Sequence, residues 1–397
     1  MTIKVLFVDD EPGILQGLRR SLRGQRDRWD MRFCDGGAQA LAEMEKDPAD
    51  VVVTDMRMPG MDGAALLSEV RRRYPSSTRI ILSGFAEEET VLRTVGPTHQ
   101  YLNKPCDQDV LVATIERALI MRDYLHQPTL MSLVSGLSSL PALPQTFVAL
   151  MGVLQDKGAG AEDLARILEK DVATTALALK LTNSAYFGLS RPVTCALDAV
   201  RLLGFDTIRD LALTAGIFAQ FKGDQKVAGE MTRLSERSFE IGSLAKAIAK
   251  SEGASPEIQS HAALAGQLSH VGTLILLSEW RDTFAEAEAR ADAGEAIIAA
   301  EAQVFGADHG HLGAYLLGLW GFVQPIVEAV AFHHEPSAAP VQPAHPPFSA
   351  LTAVHAAQAL VQADGGAEQL DRTYLGDIGY AERIDHWRSL SGRAAAA

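Results

Sequence analysis

Short runs of apolar residues alternate with helical patterns along the first third of the chain. Turn or polar residues bound each run, as is typical of strands buried on both faces of a parallel sheet. The runs lie at residues 3–8, 31–34, 51–54, 80–82 and 101–102. Between them, apolar residues recur three and four positions apart, which predicts helices. This alternation predicts a doubly wound α/β domain with a five-stranded parallel sheet over residues 1–125, the flavodoxin-like arrangement.

The pattern changes after Pro128, where strand-like runs give way to helical spacing rich in Ala and Leu. This favours an all-α second domain over residues 136–390, with a linker at 126–135 that can continue the last helix of the first domain. The prolines of residues 336–347 forbid regular helix and predict a surface loop. The candidate helices span residues 161–169, 173–181, 196–203, 207–218, 236–249, 259–277, 312–319 and 325–332.

Composition and charge narrow the classes of function. The chain has 397 residues, enough for two or three domains, and a net charge of −14. This acidic balance argues against a general nucleic-acid or anionic-membrane binder. The three cysteines show no CxxC spacing, no apolar run is long enough to span a bilayer, and the N-terminus leads directly into a strand. We therefore expect a cytoplasmic protein without a membrane or nucleic-acid partner.

Chemically active side chains follow the carboxyl ends of the predicted strands. They are Asp9, Asp10, Asp55, Ser83 and Lys104. Right-handed crossovers bring these strand ends to one edge of the sheet. Clustered carboxylates need a cation, and hard oxygen ligands with open positions suit Mg²⁺. A carboxylate beside Mg²⁺, a lysine and a hydroxyl can accept a phosphoryl group, because the two cations neutralise the oxygens whose charge moves during transfer.

This constellation resembles the receiver domain of two-component response regulators. The resemblance rests on LFVDDE at 6–11, TDMRMPGMDG at 54–63, LSG at 82–84 and KP at 104–105. It implies that a sensor histidine kinase phosphorylates Asp55. The Mg²⁺ ligands that it implies are Asp10, Asp55 and the backbone carbonyl of Arg57, with Asp9 acting through water. The residues that it implies for phosphate binding and switching are Lys104, Ser83 and the aromatic Tyr101.

The histidines of the second domain raise the question of a metal site. Eight of the eleven histidines lie between residues 261 and 355. His261 and His270 are nine positions apart, which places them on opposite sides if one helix carries both. His309 and His311 are two positions apart and face different directions. These spacings favour structural and capping roles over a metal site, which stays open as the alternative.

The second domain resembles HDOD domains. The resemblance covers about residues 130–340 and rests on LPALP at 140–144, LTNSAYFG at 181–188, FHHEP at 332–336, residues 199–204 and Asp171. The HDOD family is all-helical and is related to HD phosphohydrolases and to HD-GYP cyclic-di-GMP phosphodiesterases, but it resembles signalling or scaffold modules. Within the motif, we expect Asn183 to tie neighbouring helices through hydrogen bonds rather than to contact a ligand.

Several metal-ligand positions of the catalytic relatives are degenerate in this chain. Ser269 stands where a ligand histidine is expected, His270 stands where the paired aspartate is expected, and Arg237 replaces an upstream histidine. The positions that keep histidine are His309, His333 and His334. Because serine and arginine do not replace imidazole and carboxylate as ligands, we expect no metal cofactor and no catalytic residue in this domain.

These inferences combine into one functional hypothesis. Phosphorylation of Asp55 by a histidine kinase changes the receiver/HDOD arrangement, or drives formation of a homodimer through the face formed by residues 101–122. A catalytically inactive HDOD domain then engages an unidentified downstream signalling protein. Apart from receiver self-phosphorylation and dephosphorylation, the chain is not expected to be an enzyme. The alternative is a phosphorylation-gated, metal-dependent cyclic-dinucleotide phosphodiesterase that uses His270, His309, His333 and His334.

Overall fold

The computed structural model describes residues 2–83, 98–104, 106–124, 149–150, 152–153, 159–183, 193–204, 208, 224–339, 348–361 and 370–394. Several sequence predictions fall outside these ranges. They concern the linker at 126–135, the segment 140–144, the motif from Ser184 to Gly188, most of the helix candidate at 207–218, and the loop residues 340–347.

The N-terminal domain is built on a sheet in which all paired strands run parallel. The strands are β1 (Ile3–Val8), β2 (Trp29–Cys34), β3 (Val51–Asp55), β4 (Thr78–Ser83) and β5 (Gln100–Asn103). Their order across the sheet is β2-β1-β3-β4-β5, so the chain crosses over between β2 and β3. Val8 pairs with Thr54, and Asp55 pairs with Leu82, which aligns the carboxyl ends of the central strands.

Helices cover both faces of this sheet. They are α1 (Pro12–Ser21), α2 (Gly37–Lys46), α3 (Gly63–Arg73) and α4 (Gln108–Tyr124). Side chains alternate along each strand, so Val52 joins the core on one face while Val51 and Val53 join the core on the other. Asp62 caps α3 by accepting a hydrogen bond from the Ala65 amide at 2.8 Å. The predicted α/β fold of the first domain is confirmed.

The rest of the described chain is helical, as predicted. The helices are α5 (Ala161–Leu168), α6 (Val172–Thr182), α7 (Ala196–Leu203), α8 (Gln225–Ser251), α9 (Pro256–Leu268), α10 (Val271–Glu279), α11 (Arg281–Asp292), α12 (Ile297–Phe305), α13 (His309–Leu319), α14 (Gln324–Phe332), α15 (Ala350–Val361), α16 (Arg372–Asp377) and α17 (Ile384–Ala394). A single apolar core joins α5 to α17. None of the helices in the described ranges is long and apolar enough to cross a membrane.

One helix prediction was wrong in a way that matters for the site. The candidate at 259–277 is two helices, α9 and α10, because the chain turns at Ser269 and His270. The Ser269 hydroxyl donates to the Gly266 carbonyl at 2.8 Å and helps to end α9. Gly272 in α10 packs so closely on α13 that a Cβ there would lie 2.0 Å from the His309 carbonyl oxygen. His261 and His270 therefore do not share a helix.

The two domains contact each other along one side of the sheet. Helix α4 packs against α13, and Gln100 of β5 lies against Gly321 just after α13. Arg79 is fully buried at the start of β4, and its Nη2 donates to His99 Nε2 at 2.6 Å. Lys180 of α6 is also buried in the helical domain, with its Nζ 4.6 Å from the centre of the Trp320 ring.

Candidate functional site

The carboxyl edge of the sheet gathers the acidic residues that the sequence indicated. Asp55 ends β3, and Asp9 follows β1 directly. Both are buried, with 8% and 2% of their surface exposed. Asp10 comes next in the chain and is half-buried. Two carboxylates buried this deeply need compensating positive charge or hydrogen-bond donors.

Backbone donors supply part of that compensation. The Arg57 amide donates to Asp55 Oδ2 at 2.6 Å, and the Glu11 amide donates to Asp9 Oδ1 at 3.0 Å. The loop after Asp55 is fixed by the Gly63 amide, which donates to the Met56 carbonyl at 2.9 Å. Gly63 also has to be glycine, because a Cβ would lie 2.2 Å from the Asp55 carbonyl oxygen. The phosphoacceptor candidate therefore stands on a rigid turn.

Lys104 supplies the positive charge. Its Nζ donates to Asp9 Oδ2 at 2.6 Å and also donates to Asp55 Oδ1. Although burial opposes protonation, the hydrogen bonds to Asp55 and Asp9 raise the pKa of Lys104, so the ammonium stays charged. Ser83 ends β4 and Tyr101 lies in β5, but their side chains are outside the described structure.

This donor set fits Mg²⁺. Asp9, Asp10 and Asp55 offer only hard oxygen ligands, and the exposed Arg57 leaves its loop open to water. In this arrangement Asp10, Asp55 and the Arg57 carbonyl would hold the ion, with Asp9 acting through water. The magnesium site and the individual residue roles stay predictions.

A second cluster of side chains lies inside the helical domain. His270, His309, His333 and His334 each place a ring nitrogen within 4.8 Å of the others. They come from the turn before α10, the start of α13 and the end of α14. His270, His309 and His333 are at most 5% exposed. Spacing within one helix does not predict this cluster, because separate helices assemble it, but these are the four histidines that the hydrolase alternative uses.

Neighbouring groups orient the rings of three of these histidines. His309 Nδ1 lies 2.7 Å from Glu301 Oε2, and His333 Nδ1 lies 2.8 Å from the Val330 carbonyl oxygen. His270 Nδ1 lies 2.9 Å from the Ser269 hydroxyl, whose own proton goes to the Gly266 carbonyl. All three partners accept, so all three histidines carry their proton on Nδ1 and leave Nε2 toward the cluster.

The pKa of His309 is shifted in the opposite direction from the pKa of the other three histidines. Burial lowers the pKa of His270, His333 and His334 well below the usual range, and the charge of a neighbouring histidine adds to the shift in each case. Burial also opposes charge on His309, but the carboxylate of Glu301 raises the pKa of His309 overall. The cluster is therefore mainly neutral imidazole with one buried carboxylate behind it.

The degenerate positions surround this cluster. Ser269 supports His270 and is not itself a ligand, while the charge of Arg237 contributes to lowering the pKa of His270 and His334. Sequence reasoning missed Glu301 and also missed Gln358, whose Nε2 lies 3.4 Å from His270 Nε2. A glutamate in an alanine-rich helix resembles an ordinary surface residue, so the sequence carried no signal for its complete burial.

Asn183 has the structural role that the sequence suggested. Its side-chain amide donates to the Val193 carbonyl at 2.8 Å, and its Oδ1 accepts from the Val193 amide at 2.6 Å. These two bonds fix the end of α6 to the segment that precedes α7.

Family comparisons agree with this two-part architecture. A model of the response regulator receiver domain matches residues 5–116, and a model of the HDOD domain matches residues 140–336. The chain belongs to the response regulators and joins a receiver domain to an HDOD domain. The matched ranges lie within the predicted domains at 1–125 and 136–390.

Two curated relatives match over a stretch about as long as the receiver. The hydrogenase transcriptional regulatory protein HoxA of Cupriavidus necator is 34% identical over 117 residues, which cover 29% of this chain and 24% of HoxA. The DNA-binding transcriptional regulator NtrC of Escherichia coli is 34% identical over 125 residues, covering 31% of this chain and 26% of NtrC. The chain thus spans about a quarter of the length of these relatives.

Solved structures extend over more of the chain. The MmoQ response regulator from Methylococcus capsulatus is 25% identical, covers 63% of this chain and 98% of its own, and superposes with a TM-score of 0.47. A virulence factor from Campylobacter jejuni is 20% identical, covers 66% of this chain and 97% of its own, and also has a TM-score of 0.47.

Proposed function

We propose that phosphorylation of Asp55 by a sensor histidine kinase changes how the receiver packs against the HDOD domain. Strands β4 and β5 support this proposal because each connects the two regions. Their carboxyl ends lead to Ser83 and Lys104 at the acidic edge. Their amino ends carry Arg79, whose charge acts on Lys180 of α6, and Gln100, which lies against Gly321. A displacement of either strand therefore acts on both regions.

The bridging position of Lys104 is the observation that carries the proposal. Its ammonium already holds Asp9 and Asp55 together. A phosphoryl group on Asp55 adds roughly −1.5 to −2 charge and three acceptor oxygens. Mg²⁺, when bound, neutralises part of this charge. Lys104 then bonds to the phosphate, and because it directly follows β5, its movement pulls on that strand.

The HDOD domain acts in this proposal as an interaction module. Ser269 and Arg237 at two ligand positions of the catalytic relatives support a role without hydrolysis. The altered domain contact exposes HDOD surface to a downstream signalling protein, or lets two copies pair through the face formed by α4 and β5. A histidine kinase and Mg²⁺ are the partners that this proposal assigns to the receiver.

Hydrogen–deuterium exchange on the full chain tests the proposal. We expect acetyl phosphate with Mg²⁺ to add one phosphoryl group, detected by intact mass, and to raise exchange in β4, β5 and α13. The Asp55→Asn variant should show neither change. The exposed Asp30 of β2 provides the control, since Asp30→Asn should behave as wild type. Full labelling of Asp55 with unchanged exchange and unchanged solution mass would refute the coupling.

The second candidate is a phosphorylation-gated, metal-dependent cyclic-dinucleotide phosphodiesterase. The convergence of four histidines is the observation that favours it. A hydrolysis assay with cyclic-di-GMP and Mn²⁺ or Fe²⁺ separates the candidates. We expect no turnover, whereas turnover that disappears in His333→Gln would establish the hydrolase instead.

A further inference from the structure

We propose that His270, His309, His333 and His334 bind one divalent transition-metal ion, with zinc as the best match, where the starts of α10 and α13 meet the end of α14. This goes beyond the proposed signalling function and does not depend on it. The expectation that the HDOD domain lacks a metal rested on its missing carboxylate and histidine positions. The structure instead brings four imidazole rings together, and these form a donor set that needs neither the missing carboxylate nor the missing histidine.

The fixed ring orientations carry the first step of the argument. Glu301, the Val330 carbonyl and the Ser269 hydroxyl each accept from one Nδ1–H, which leaves Nε2 of His309, His333 and His270 as acceptors. The Gln358 amide lies 3.4 Å from His270 Nε2 and has to release that atom when a metal ion binds. No hydrogen-bond partner of the fully buried His333 Nε2 is found among the described residues. A buried acceptor without a donor is costly, and a metal ion shared with the neighbouring imidazoles satisfies it.

The distances between the ring nitrogens also suit a metal ion. His334 Nε2 lies 3.2 Å from His309 Nε2, and no two of the four ring nitrogens are more than 4.8 Å apart. A tetrahedral zinc site with Zn–N bonds of about 2.0–2.1 Å separates its nitrogens by roughly 3.3–3.4 Å. Two ligands already have this spacing, and the others reach it by small ring movements.

The imidazole donors favour a transition metal over Mg²⁺ or Ca²⁺. Imidazole suits Zn, Cu, Fe and Ni, whereas Mg²⁺ and Ca²⁺ prefer oxygen. Glu301 behind His309 is the carboxylate–histidine pair that orients many metal ligands, and its charge offsets part of the repulsion between the ion and Arg237. Because four protein ligands close a tetrahedral site, this ion holds helices together rather than activating water.

Metal analysis of the full chain, purified without a polyhistidine tag, tests the site. We expect one zinc ion per chain after loading and dialysis, and intense visible absorption typical of tetrahedral Co²⁺ after cobalt substitution. His334→Gln and His333→Gln should lose both signals. The exposed His386 of α17 supplies the control, because His386→Gln should retain both. We expect Glu301→Gln to weaken zinc about 10–100-fold without abolishing it.

Two further measurements keep the test independent of folding. Circular dichroism establishes whether each variant keeps the helical content of the wild type, and His334 is suitable because it is only half-buried. Zn²⁺ should raise the melting temperature of wild type and His386→Gln, but not of folded His334→Gln. The proposal is overturned if wild type retains no more zinc than His334→Gln, since a proton shared between His309 and His334 would then explain the cluster. Equal Co²⁺ spectra in both proteins would overturn it as well.

Discussion

Lys180 should make the stability of this protein depend on pH. Its ammonium lies over the Trp320 ring in the domain contact, and burial, with a smaller contribution from the charge of Arg79, lowers its pKa to about 7. The ordinary lysine value is 10.5. Between these two values the unfolded chain binds one more proton than the folded chain. The free energy of unfolding therefore rises as the pH increases from about 7 toward 10.5.

The size of this effect follows from one proton. A difference of one bound proton changes the free energy of unfolding by about 1.4 kcal/mol per pH unit. Between pH ~7.5 and ~9.5 the native side chain is mostly neutral and the unfolded one mostly charged, which gives a gain of about 2.5 kcal/mol. Replacing Lys180 with methionine removes the titrating group while keeping an unbranched side chain. We expect Lys180→Met to lack this gain, so that it is more stable than wild type near pH ~7 and the difference narrows as the pH rises toward 10.5.

Urea unfolding followed by tryptophan fluorescence measures the slope. Wild type and Lys180→Met are compared at several pH values across this range, so that contributions from other titrating groups cancel in the difference. The exposed Lys250 of α8 supplies the control, because Lys250→Met should keep the wild-type slope. Parallel stability curves for wild type and Lys180→Met would refute the reasoning and show that the buried amine keeps an ordinary proton affinity.

Other side chains give further predictions. We expect Gly63→Ala to slow labelling of Asp55 by acetyl phosphate about tenfold or more, because the new Cβ collides with the acceptor loop. Gly13→Ala is the control: its Cβ meets open space, so this variant should label at the wild-type rate. Glu252→Ala should cost about 1–3 kcal/mol in urea unfolding, because a buried indole N–H loses its acceptor. Burial raises the pKa of Cys34 to about 11. Alkylation of Cys34 near pH ~8, followed by mass mapping, should therefore be about 100-fold slower in the folded protein than in the urea-unfolded protein. Equal rates in the two states would contradict this prediction.

The receiver edge could be predicted because parallel strands bring their ends together regardless of loop detail. Once the runs ending at Asp9 and Asp55 were recognised as strands, their proximity followed from topology. The structure adds what topology does not contain, namely that one ammonium bridges both carboxylates and that Gly63 touches the acceptor loop.

The histidine cluster and the domain contact were not predictable in the same way. Whether His270 faces His309 depends on the chain turning at Ser269 and on the close packing of α10 against α13, and helical spacing within one segment reveals neither. Arg79 gave a signal that was overlooked, because a charged residue at the start of an apolar strand is unusual when both faces are buried. Its partner His99 precedes a short edge strand, where the sequence pattern is weak.

Arg79 of the receiver and Lys180 of the helical domain are both buried and interact through their charges. This limits which other receivers can be joined to this HDOD domain. The two charges act on each other across the contact, and Lys180 lies over the Trp320 ring of the helical domain. A receiver from another regulator, joined at the same linker, would leave Lys180 and Trp320 facing unmatched groups even if its own phosphorylation chemistry were intact. Successful chimeras should therefore need the first residues of β4 and β5 to be transplanted together with the HDOD domain.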